Sequence, residues 1–145
     1  MNIAQALKEK NRVLNTIKKT KERIQKYNQY SVDNDRPYDV EELYTALLEG
    51  QEKLIALKTA IHIASNPVRS DIFGQSELKD RLSFMRHIPN QTGTVRDRYN
   101  QGDGQEVEST YGPKEIDDMV EALELEITTG QDKLDKFNHN TEVVL

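Results

Sequence analysis

The chain is 145 residues long, 35% hydrophobic and 31% charged, with a formal net charge of −5, no Trp and no Cys. That length suits one domain rather than two with separate cores, and the lack of cysteine excludes a disulfide framework and thiolate metal sites. Leu, Ile, Val and Phe together number 35. This exceeds the ~20% of a chain below which disorder is the default, yet it is too little for a thick core. The expectation is a single helical domain over 1–145.

Spacing predicts a first helix over 3–28, capped by Asn2, in which Ile3, Leu7, Leu14, Ile17 and Ile24 form a 3-4 seam shared with Lys10 and Lys21. Residues 29–37 read as a linker, because Ser31, Asp33, Asn34 and Asp35 form turns and Pro37 drives Arg36 out of helical conformation. A second helix over 39–65 carries the most regular pattern: Val40, Leu43, Leu47, Gly50, Leu54, Leu57, Ile61 and Ala64. Asp39 caps it, and Glu41 and Glu42 sit in its positively polarised first turn.

An irregular insert over 67–112 follows. Within it, Ser76 caps a short helix over 76–87 with Leu78, Leu82 and Met85 on one face, and Thr92–Tyr99 and Gln105–Tyr111 read as a β-hairpin turning at 100–104. A last helix over 113–138 opens on Pro113, with the seam Ile116, Val120, Leu123, Ile127, Gly130, Leu134 and Phe137. Glycine on a helix seam costs about 1 kcal/mol against alanine, so Gly50 and Gly130 predict a bend or a close crossing rather than a ligand site. Asn28 and Asn138, after matching Lys-aromatic pairs, read as left-handed helix caps. The fold class is therefore all-α, an elongated coiled-coil-like bundle with a small β-hairpin.

Charge is unevenly spread. Residues 1–28 carry eight Lys/Arg against Glu9 and Glu22, whereas residues 101–145 carry three basic and twelve acidic groups. A basic first helix and an acidic last one are suited to pair within or between subunits, which disfavours a nucleic-acid arm for the basic end. No apolar run reaches the ~18 residues of a membrane span, and the N-terminus lacks the apolar stretch of a signal peptide, so a cytoplasmic protein without membrane partners is expected.

Enzyme chemistry has no foothold in the motifs. His62, His87 and His139 are isolated, no glycine-rich phosphate loop or serine elbow is present, and neither metal nor cofactor is expected. Arginine placement stands out instead, since five of eight arginines lie in the insert: Arg69, Arg81, Arg86, Arg96 and Arg98. Arginine is the planar fork that binds carboxylate or phosphate bidentately and stacks on rings. With Phe73 and Tyr99 as aromatic faces, and Ser70, Gly74, Gln75 and Phe84 nearby, the segment is a candidate site for a phosphorylated small molecule such as a signalling nucleotide. The competing reading pairs Arg81 with Glu77, and Arg96 and Arg98 with acids of the last helix.

The helical frame resembles the septicolysin-like family of small bacterial and phage-encoded helical proteins. The likeness rests on Ala6-Leu7-Lys8 with Leu14 and Ile17, on Arg23-Ile24 and Asn28, on Leu54, Leu57-Lys58, Ile61 and Asn66, and on Gln131-Asp132-Lys133-Leu134-Asp135 with Phe137-Asn138 and Thr141-Glu142. The family name implies a membrane-active toxin. A mean hydropathy of −0.80 and the lack of an amphipathic membrane face argue against that activity here, and no functional residue is carried over. The sequence thus leads to a non-enzymatic, homo-oligomeric protein sequestering an anionic ligand, with a structural or assembly role, such as a phage particle or scaffold component, as the alternative.

Overall fold

The computed structural model describes residues 1–96, 102 and 104–145. Among them are four α-helices, α1 (Ile3–Tyr27), α2 (Val40–Ala64), α3 (Arg69–Arg86) and α4 (Pro113–Asn140), and two short strands, β1 (Gly93–Val95) and β2 (Gln105–Val107). The strands pair antiparallel, with Gly93 opposite Val107 and Val95 opposite Gln105. The fold is all-α with a small β-hairpin, and most of the expected turn at 100–104 lies outside the described residues. The chain divides into two compact units, Met1–Pro67 with Asp135–Leu145, and Val68–Leu134.

In the first unit α1 and α2 form an antiparallel hairpin. Asn2 caps α1 reciprocally, accepting from the Gln5 backbone N–H at 2.8 Å while its own N–H donates to Gln5 Oε1 at 3.0 Å. Asp39 accepts from the Glu41 backbone N–H at 2.9 Å and so starts α2. The linker between them is held by rings: Tyr27 and Tyr38 lie 5.3 Å apart, Arg23 sits over Tyr38, and Arg36 sits over Tyr30. The tail returns to the start of α1, where the Ile3 N–H donates to the Thr141 carbonyl and the Val143 N–H donates to the Met1 carbonyl, both at 2.9 Å.

The core of this unit joins Ile3, Ala6, Val13 and Ile17 of α1 to Leu57 and Ala60 of α2 and Val143 of the tail. Every position of the expected α2 seam is buried or half-buried. The α1 seam needs correction. Ala6, Val13 and Thr20 face inward, one residue before the expected Leu7, Leu14 and Lys21, while Leu14 is exposed. Small Ala6 lets the backbones approach, and the Thr20 hydroxyl satisfies itself on the Thr16 carbonyl at 2.9 Å. Gly50 marks a close crossing, because a Cβ there would lie 3.1 Å from Ile17 Cγ1. Asn28 is corrected too: it caps α1 in right-handed conformation (φ −64°, ψ −38°) and donates its N–H to the Ile24 carbonyl.

Within this unit the basic α1 runs along α2. Glu9 is the electrostatic joint. Its carboxylate takes a bidentate pair from Arg12 at 2.7 and 2.8 Å and a further bond from Lys53 across the hairpin.

The second unit packs Met85 of α3 against Ile116 and Leu123 of α4, with Leu78, Leu82, Ile88 and Val120 around them. Here α3 starts at Arg69, seven residues before the expected Ser76 cap. The 3-10 turn Asn66–Val68 feeds it directly, and Val68 in the cap position offers no side-chain acceptor. A helix entered without a cap leaves no sequence signal, so Ser76 lies within the helix.

The Arg12 hydrogen bonds above all, then those from Lys53, lower the Glu9 pKa from 4.5 to about 2. A depressed carboxylate contributes stability above its unfolded value and loses it as pH falls through the folded one. Denaturant midpoints should therefore drop between about pH 4.5 and 2, and Glu9→Gln should lower the midpoint at pH 7 while flattening that acid-side decline.

Candidate functional site

Four of the insert arginines lie among the described residues. Arg69 is half-buried in the first turn of α3, Arg81 and Arg86 are exposed further along it, and Arg96 is exposed just beyond β1. Five residues separate Arg81 from Arg86, which turns their side chains about 140° apart around the helix axis. Arg86 is engaged by Glu124 of α4, whereas Arg81 and Arg96 have no ion pair among the described residues, so the expected Arg81–Glu77 pair is not formed. Phe73 is exposed on α3. Arg98 and Tyr99 lie outside the described residues.

What the second unit does build is an open groove of about 570 Å³ between α3 and α4, lined by none of these arginines. Of the polar residues singled out beside them, Ser70, Gly74 and Gln75 do line it. Gln75 is buried, and its Nε2 donates to the Ile127 carbonyl of α4 at 2.8 Å. Gly130 makes room for that amide, since a Cβ at 130 would lie 2.5 Å from Gln75 Oε1. Lys133 reaches Asp71 at 3.0 Å beside the same groove. Gly130 is therefore a close-crossing glycine, as its place on the α4 seam implies.

Sequence reasoning missed the groove-lining residues of α4. Ala122, Leu125, Thr129 and Lys133 recur at spacings of three and four just off the main seam, a second line that a search for one seam passes over. Chemically the groove is quiet: Asp71 and Lys133 neutralise each other, and the Gln75 amide is spent on a backbone carbonyl. Among the described residues no group of His, Cys, Asp or Glu is placed to hold a metal ion, and no helix is long and apolar enough to cross a membrane.

A third feature lies on α2, which is apolar along two lines. One is the core seam. The other, Tyr44, Leu48 and Ile55, lies about a third of a turn around the helix from it and is 45–64% exposed. Gln51 falls between these residues, Glu41 precedes them and Lys58 follows, at successive spacings of three and four. The pattern was present in the sequence, but the stronger inner repeat on the same helix masked it.

Comparison of the chain with family models, curated proteins and solved structures finds no match.

The Gln75–Gly130 contact is testable by a double-mutant cycle. Gly130→Ala gains about 1 kcal/mol of helix propensity but displaces an amide whose hydrogen bond is worth a similar amount, so the single change should be neutral to destabilising. In a Gln75→Ala background it should stabilise by about 1 kcal/mol. Urea denaturation of the four proteins measures the difference.

Proposed function

We propose that this protein is a non-enzymatic, cytoplasmic assembly component, a helical module held in a larger complex through its apolar helix faces. The observation that supports this reading is the outer line of α2. Singly exposed apolar residues are ordinary on any protein, but Tyr44, Leu48 and Ile55 at spacings of four and seven form one stripe on one helix face, and such stripes mark partner sites. Burying a fully exposed large apolar side chain is worth roughly 1.5–3 kcal/mol, and these three, each about half exposed, retain about half of that as a drive toward association.

A phosphorylated ligand is a second reading because Arg81 and Arg96 meet no carboxylate among the described residues. Calorimetric titration with a nucleoside triphosphate should then give heat that is lost in Arg81→Ala/Arg96→Ala, and absence of heat ends that reading.

Carbene footprinting, in the cells that make the protein and on the dilute purified chain, tests the assembly reading. Leu48 and Ile55 should be protected in the cell and labelled on dilution. Equal labelling in both settings overturns it.

A further inference from the structure

We propose that the occupant of the outer α2 face is a second copy of this chain, docked antiparallel about a two-fold axis beside Leu48 and Gln51. The inference rests on the assembly reading and names its partner. It follows from the charges that flank the stripe. At helical spacing the outer line runs Glu41, Tyr44, Leu48, Gln51, Ile55, Lys58, acidic at its start and basic at its end.

Reversing one α2 against another sets Tyr44 on Ile55 of the second copy, Leu48 on Gln51 and Glu41 on Lys58, and each pairing occurs twice by symmetry. A parallel pair would instead stack Glu41 on Glu41 and Lys58 on Lys58, and like charges in register are repulsive. The helix dipoles favour the same choice, because they oppose in an antiparallel pair and reinforce in a parallel one.

Both flanking charges are available for such a pairing. Glu41 and Lys58 are exposed and have no ion pair among the described residues, whereas Lys53, on the inner side of α2, is already engaged with Glu9. The stripe also has the composition of a contact seam: an aromatic and two branched aliphatics around one amide. The Gln51 amides near the axis can bond each other only when the two helices are in one register, which fixes the alignment.

Sedimentation equilibrium of the full chain, with circular dichroism on every variant, tests the proposal. The wild-type chain should reach twice 16.7 kDa, and Ile55→Glu should give a folded monomer, since Ile55 lies off the core. Glu41→Lys alone and Lys58→Glu alone should each weaken association about tenfold, while the two together restore it. The chain has no native cysteine, so Glu41→Cys/Lys58→Cys should oxidise to a covalent dimer and Glu41→Cys alone should not.

A chain that stays monomeric at every concentration while Leu48 and Ile55 remain protected in cells overturns the self-pairing and leaves the assembly reading standing. A dimer that survives Ile55→Glu, or a Glu41→Cys chain that cross-links by itself, overturns the antiparallel α2 pair.

Discussion

The constraint on which both units depend is scarcity of apolar bulk. Among the described residues Ile3 and Leu57 are the largest side chains withdrawn fully from water, so the helices gain stability by approaching closely rather than by enclosing a thick core. Close approach requires small residues at the crossings. Ala6 and Ala60 provide them in the first unit, with Gly50 under Ile17, and Gly130 gives up its side chain to Gln75 in the second. Dispersion between well-fitted surfaces then takes over much of what larger side chains would contribute.

Polar contacts work in the same way, holding helix pairs whose apolar seams are narrow. Glu9 joins two cations from two helices at one carboxylate, and its depressed pKa records how strongly the ionised form is preferred. Gln75 makes the equivalent link in the second unit, using a side-chain amide to engage a backbone carbonyl of the neighbouring helix. A hydrogen bond of this kind contributes about 1 kcal/mol net, a meaningful share where so few large side chains are buried.

Thin units also leave apolar surface behind. A helix packed on one side by a single partner has its other faces in water, and in α2 one such face carries Tyr44, Leu48 and Ile55. The hydrophobic patterning of α2 is consequently that of a helix with two neighbours, although α1 alone runs along it within the unit. The assembly reading grows from this mismatch between how α2 is written and how it is packed. The septicolysin-like resemblance supplies no residue that bears on it.

Much of the frame was legible because it is written locally. The Asn2 and Asp39 caps, Pro113 at the first turn of α4, and the α2 seam depend on spacing within one helix, and all are found where the spacing puts them. The α1 seam was only half legible: Val13 and Leu14 are adjacent and both apolar, so periodicity alone could not decide which faces α2, and Ala6 carries too little hydrophobicity to stand out. The start of α3 was hidden for a different reason, since Val68 enters the helix with no capping side chain.

The candidate site was less legible still. Arg69, Arg81 and Arg86 are near one another along the chain, but α3 turns their side chains to different directions around its axis, and Arg96 lies outside that helix, just beyond β1. The sequence by itself determined the three long helices, the Asn2 and Asp39 caps, the hairpin and the two seam glycines, because each follows from local geometry and periodicity. Only the tertiary structure decided that Arg86 meets Glu124, that Gln75 fills the space left by Gly130, and that one apolar line of α2 faces α1 while the other faces solvent. Those outcomes depend on residues far apart in the chain, and on which face of each helix a neighbour covers, and neither is encoded in the spacing along any single helix.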